Sequence, residues 1–164
     1  MRILSIDPGV EKVGYALFEK QDATIKKFAY VTSGLIKTDR KYEHEVRLKV
    51  IYESLKQIIE ENNPSFLIIE RLFFYNNQKT VIGVGQAQGV ILLLAAQYNL
   101  KVVYLTPLQI KAAITGYGNA DKKAVQKMLP LLLNQEIPKC EDDQSDAIAC
   151  GLAFCSMNTM LLQS

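Results

Sequence analysis

The sequence predicts an α/β protein built on a mixed five-stranded sheet flanked by helices, and three observations carry that expectation. Three short β-rich stretches open the chain, helical and extended stretches then alternate, and Phe66 to Ile69 is an uninterrupted apolar run of strand length. The order β-β-β-α-β-α-β followed by further helices fits neither a helical bundle nor a β-sandwich. With 164 residues, 49% hydrophobic and 22% charged, the chain is neither disordered nor collagen-like and can bury one substantial core. A single domain over residues 1–164 is expected.

Arg2 to Ile6 and Val13 to Phe18 read as strands joined by the turn Asp7-Pro8-Gly9, which makes a hairpin, and Lys27 to Ile36 reads as a third strand. Leu48, Ile51, Tyr52, Leu55, Ile58 and Ile59 recur at helical spacing within a helix expected over Tyr42 to Glu61 and stopped by Asn62-Asn63-Pro64. Phe66 to Ile69, apolar at every position, has the form of a central parallel strand covered on both faces. Gln78 to Tyr98 is expected to be helical despite Gly83, Gly85 and Gly89. Gly85 and Gly89 share one face, which with Val84, Val90, Ile91 and Leu94 by default packs on the sheet or alternatively forms part of a twofold interface. Lys101 to Leu105 makes the fifth strand, and Thr106-Pro107 opens a helix with an N-cap and a proline at its first position. After the joint Gly116-Tyr117-Gly118, Asn119 is expected to cap the next helix and Pro130 to kink or end it. The last helix is expected to start at Asp142 or Asp143 and run through Phe154.

The formal charge of +2 does not by itself announce a polyanion partner. The longest apolar run, Val90 to Ala96, is too short to cross a bilayer, and Asp7 interrupts the first apolar run before it could act as an export signal. A cytoplasmic protein with no membrane partner and with reduced thiols at Cys140, Cys150 and Cys155 is expected. His44 is the only histidine, so the donors for a structural zinc site are lacking.

The chemistry is carried by carboxylates that interrupt apolar elements. Asp7 ends the first strand, Glu70 ends the fourth, and Asp143 and Asp146 lie three residues apart at the start of the last helix, on one face. Carboxyl ends of parallel strands are where open α/β sheets gather their sites. Together these four acids would repel one another unless a divalent cation neutralised them, and all-oxygen ligation suits Mg²⁺ or Mn²⁺. The chemistry best served is phosphoryl transfer to water at paired ions. Taken singly, Asp7 reads equally well as a turn former, and Asp143 and Asp146 as a cap and a helix-dipole partner. Glu70 is harder to explain that way, because apolar residues stand on both sides of it.

Ile6-Asp7-Pro8-Gly9 with Gly14-Tyr15, Ile69-Glu70 with Phe73-Phe74 and Asn77, Gly85-Gln86-Ala87-Gln88-Gly89, and Asp143-Gln144-Ser145-Asp146-Ala147 with Ala149 resemble the RuvC family of Holliday junction resolvases. The resemblance runs from Arg2 to about Phe154. It implies an RNase H-like fold, a homodimer, paired nicking of four-way junction DNA with two Mg²⁺ ions per site, Mn²⁺ substituting, and partnership with the branch-migration complex of RuvA and RuvB. It also implies that Asp7, Glu70, Asp143 and Asp146 are the catalytic metal ligands. Asp142 competes with Asp143 for that role, and only the spacing to Asp146 selects Asp143. The resemblance places Lys111 and Lys122 near the scissile phosphate and Phe73 against an unpaired base; from the residues alone, Lys111 on a short helix leading into a glycine joint favours a function, Lys122 reads equally as functional or as a surface lysine, and Phe73 reads as a core aromatic or a stacking one. Gln88 departs from the family pattern, which has arginine there. Three rivals are an actin-like ATPase or sugar kinase, whose two lobes 164 residues do not accommodate, a junction-binding protein without catalysis, and an RNase H-like nuclease for RNA or another branched nucleic acid.

Overall fold

A computed structural model of the chain describes residues 1–20, 28–71, 78–134 and 140–161. Among them run β1 (Arg2–Asp7), β2 (Lys12–Glu19), β3 (Ala29–Lys37), α1 (His44–Asn62), β4 (Phe66–Glu70), α2 (Gln78–Gln97), β5 (Lys101–Leu105), α3 (Pro107–Thr115), α4 (Lys122–Leu133) and α5 (Asp142–Leu161). The five strands form one sheet in the order β3-β2-β1-β4-β5. The pairs β1–β2 and β2–β3 are antiparallel, whereas β4 runs parallel to both β1 and β5. The sheet is therefore mixed, as expected, and β4 is an interior strand parallel to both of its neighbours.

Side-chain alternation divides the core into two layers. Leu4, Ile6, Leu67 and Ile69 pack with Ile51, Leu55 and Ile59 of α1 and Ile91 and Leu94 of α2. Ile3 and Ile68 turn the other way, toward α5, Ile110 and Ile114 of α3, and Val125 and Leu129 of α4. Helix α5 is buried continuously from Ala147 to Cys155, which explains why its sequence shows no polar face.

Three contacts seat α5 on the hairpin. The buried Ser5 hydroxyl donates to Ala147 O at 2.7 Å. A Cβ at Gly14 would stand 1.9 Å from Asp143 O, and one at Gly151 would stand 2.3 Å from the Phe18 ring and 2.5 Å from Ser5 Oγ. Glycine is thus required at both positions for the helix to approach the strands so closely.

Helix ends follow local chemistry. Asn63 closes α1 in the left-handed region (φ 47°), and Thr106 and Gln109 form a reciprocal capping box at α3, with Pro107 in its first turn. One expectation is corrected here and another narrowed. Asp121, not Asn119, caps α4, its carboxylate accepting from Ala124 N at 2.7 Å. Pro130 does not end α4, which continues to Leu133, because Pro130 lies on the exposed side where water can satisfy the carbonyl that the missing N–H leaves free. The face of α2 holding Gly85 and Gly89 is also not packed on the sheet. Both glycines are exposed with nothing within 4 Å of a built Cβ, and Ile91 and Leu94 carry the packing. Among the described residues no helix is long and apolar enough to cross a membrane.

Gly14→Ala is expected to destabilise the protein by about 1–3 kcal/mol, because either the hairpin or α5 must move to admit a methyl group. Chemical denaturation measures this, and wild-type stability in the variant would show that the approach of α5 is not as tight as described.

Candidate active site

Period-two alternation puts Asp7 on the same side of the sheet as Ile3 and Ser5, and Glu70 on the same side as Phe66 and Ile68, so both carboxylates face the α5 layer. The parallel register pairs Ile6 with Ile69, so Asp7 and Glu70 are the next residues of neighbouring strands. The end of β4 is held from its other side, where Arg71 N donates to Leu105 O at 2.7 Å. The seating of α5 brings its first turn, with Asp143 and Asp146, over these strand ends.

The electrostatics record the convergence. Asp7 is pushed up to about 8, first by burial and then by the charges of Asp146, Glu70 and Asp143, with Lys122 opposing. Burial and then Asp146 raise Glu70, while Lys111 and Lys122 pull it back. Burial raises Asp146 as well, against its hydrogen bond from Lys122. Burial works to lower Lys122, but its hydrogen bond to Asp146 and the charges of Asp146 and Asp142 hold it above the usual lysine range. Its Nζ lies 2.8 Å from Asp146 Oδ2 and 3.5 Å from Asp142 Oδ2. Lys111, Lys122, Glu70 and Asp146 share a hollow of about 300 Å³ at the foot of α3 and α4.

The two neighbouring aspartates separate by direction. Asp142 is exposed and receives a hydrogen bond from Gln126 at 3.2 Å, and it is not among the groups that shift Asp7, whereas Asp143 is. Asp142 nevertheless acts on Asp146, as Asp143 does. Phe73, expected near an unpaired base, lies outside the described residues.

Among the described residues, no three carboxylate, histidine or cysteine side chains are gathered closely enough to form a ligating set. The chemistry of the donors nevertheless fits a hard cation. They are oxygens only, their charges act together to raise Asp7, and a positive charge is brought to them here by Lys122 lying against Asp146.

Several residues that build the site were not singled out from the sequence. Ser5 had a signal, a hydroxyl inside an apolar strand, but the partner it serves is 142 positions away. Glu141, just before α5, is held down to about 2 by hydrogen bonds from Lys12 and Lys37, with Lys12 Nζ at 2.5 Å. Gln144 Nε2 donates to Ser33 Oγ of β3 at 2.8 Å. No local pattern identifies these pairs. Cys150, one turn beyond Asp146, is fully buried, and burial followed by the charges of Glu70 and Asp7 holds its thiol well above the usual range.

The family model for crossover junction endodeoxyribonuclease RuvC matches residues 3–155. A crossover junction endodeoxyribonuclease RuvC of Halothermothrix orenii is 47% identical over 163 residues, covering 99% of this chain and 95% of that protein. One from Thermosipho melanesiensis is 46% identical over 156 residues, covering 94% and 96%. Among solved structures, T. thermophilus RuvC in complex with Holliday junction substrate superposes with a TM-score of 0.87 at 25% identity, covering 98% of this chain and 96% of that one. The yeast mitochondrial Holliday junction resolvase Ydc2 shares the fold, with a TM-score of 0.68 at 12% identity over 98% of this chain and 79% of that one. The RNase H-like α/β fold expected from the resemblance is the fold observed.

The elevated Asp7 has a consequence for stability. Its folded pKa of about 8 exceeds the unfolded value of about 4, so between them the folded state binds the extra proton and stability falls as pH rises. Glu70 and Asp146 add slopes of the same sign. Metal-free protein is therefore expected to lose stability from about pH 5 to about pH 8. Asp7→Asn is expected to weaken that loss and to raise the melting temperature near pH 8 by several degrees, the scale of about 1–2 kcal/mol. Thermal scans across pH check this, and an unchanged pH profile in the variant would reject it.

Proposed function

The chain belongs to the RuvC family of crossover junction endodeoxyribonucleases, and from that premise we propose that it is a metal-dependent nuclease that resolves four-way DNA junctions by paired phosphodiester hydrolysis. The observation that carries this reading is the family match over residues 3–155 on a chain whose β1–β4 register sets Asp7 beside Glu70 and whose α5 seats Asp143 against Gly14. Such a concentration of buried negative charge is unfavourable by itself and becomes useful when cations are bound.

Asp7, Glu70, Asp143 and Asp146 would hold two Mg²⁺ ions, for which Mn²⁺ substitutes. When bound, these supply a polarised water for in-line attack and charge compensation at the departing 3′ oxygen. Lys111, whose charge is felt at Glu70, faces the same hollow as Lys122 and is placed to offset charge on the phosphate. Lys122 would turn from Asp146 toward that phosphate as the acids are neutralised. Phe73 would stack on an unpaired base, a role that rests on the family resemblance. Gln88 leaves α2 without the positive charge that the family pattern carries there.

Cutting both strands of a symmetric junction requires two sites, hence a homodimer. The exposed stripe of α2 supports this. Ile82, Gly85, Gly89 and Leu93 recur at helical spacing, and the glycines leave room for a second backbone. By the family resemblance, RuvA and RuvB would share the junction, and the work would be recombination and DNA repair in the cytoplasm.

Purified protein is expected to make paired symmetric nicks in a mobile four-way junction with Mg²⁺, none with chelator, and none in a linear duplex. Cleavage of an RNA–DNA hybrid instead would reject the reading. Glu70→Gln is expected to lower cutting by at least about 100-fold, the upper end of what losing a partner behind a ligand costs, while junction binding persists. Gly89→Arg is expected to leave a folded monomer by sedimentation that no longer cuts both strands together, because the arginine has open space within its own chain. A dimeric Gly89→Arg variant would place the twofold elsewhere.

A further inference from the structure

The acids lie between two cavities. Glu70 and Asp146 face the hollow with Lys111 and Lys122, whereas Asp143 lines a second groove of about 740 Å³. Asp7 couples electrostatically to acids of both. The second groove runs past Pro8 and Gly9 to Lys12 and to His44 and Arg47 of α1. His44 and Arg47 are three residues apart on one helical face, and both line this groove.

Among the described residues, two nitrogens of His44 and Arg47 lack partners. Arg47 Nε donates to Thr38 Oγ1 at 2.9 Å, and Thr38 Oγ1 in turn donates to Val10 O at 2.6 Å, which ties the guanidinium to the loop that follows Asp7. Arg47 Nη2 and His44 Nε2, by contrast, are shielded from solvent and have no hydrogen-bond partner. Arg47 also makes no ion pair with a described carboxylate, while the other charges on this wall are engaged, Lys12 by Glu141 and Glu11 by Arg40. A shielded donor on a cation is costly to leave unmade, and an oxyanion is the partner that suits it best. A guanidinium fork beside an imidazole N–H matches two oxygens of a phosphodiester.

We propose that Arg47, with His44, forms a second phosphate-holding wall, so that the cleaved strand is gripped on both sides of the acids, by this wall on one side and by Lys111 and Lys122 on the other. The proposal rests on the nuclease reading above and adds to it a positioning role for α1. Through Thr38 and Val10, the same guanidinium that holds the phosphate also steadies the turn carrying Asp7.

The test is junction binding in chelator, so that nothing is cut, across a range of salt concentrations. Arg47→Gln is expected to weaken binding about tenfold and to reduce the slope of log affinity against log salt by about 1, the signature of one lost phosphate contact. Arg47→Lys is expected to restore the slope, and Lys49→Gln, exposed on the same helix, to leave it unchanged. A folded Arg47→Gln variant with the wild-type slope would mean that Nη2 meets only a buried water, and the wall would be withdrawn. A second measurement needs no variant. Methylphosphonates placed singly along the cleaved strand are expected to weaken wild-type binding on both sides of the cut, and weakening on one side alone overturns the proposal. Wild-type protein that neither binds nor cuts junctions would remove the nuclease reading and the wall with it. Wild-type cutting with an unchanged slope in Arg47→Gln would remove the wall alone.

Discussion

The Ser5 hydroxyl, buried within β1 and bonded to Ala147 O at 2.7 Å, fixes α5 to the sheet two residues before Asp7 and one residue after Asp146. Gly14 and Gly151 allow that approach by omitting the methyl groups that would collide with it. Once α5 is seated, the positions of Asp143 and Asp146 follow from helical spacing and that of Glu70 from its register with β1. No loop has to close to bring these acids into electrostatic reach of one another.

The electrostatic cost of that arrangement is confined to one end of the sheet. Burial is the largest influence on Asp7, Glu70 and Asp146 alike, ahead of any single neighbouring charge. Lys122 offsets part of it by lying against Asp146. One residue before α5, Glu141 joins Lys12 of β2 and Lys37 of β3, an exposed cluster of the kind that contributes little strength but restricts where the first turn can lie. Packing therefore supplies the energy that holds the acids together, and the surrounding ion pairs adjust their position.

Short-range chemistry made much of this legible before any coordinates. Phe66 to Ile69 declared a strand covered on both faces, Thr106-Pro107 declared a helix start, and Asn63 proved to be the left-handed stop expected from Asn62-Asn63-Pro64. The carboxylates were legible because each breaks an apolar run. Asn119 was mistaken for a cap because two polar residues with capping side chains stand close together, and only the bond from Ala124 N to Asp121 distinguishes them. Of the two outcomes expected at Pro130, a kink or an end, the end does not occur, because exposure, which decides whether a freed carbonyl is tolerated, is not a local property. Ser5 with Ala147, Gln144 with Ser33 and Arg47 with Thr38 join different elements, so nothing in the spacing of either partner announces the other.

Cys150 lies one helical turn beyond Asp146, fully buried, with Glu70 and Asp7 both acting to keep its thiol protonated. Alkylating agents and peroxides react with the thiolate rather than the thiol. Burial first, and then the neighbouring carboxylates, therefore hold the sulfur in its less reactive thiol form. A thiol under the candidate site is thus shielded from oxidants in the first place by the packing of α5 around it.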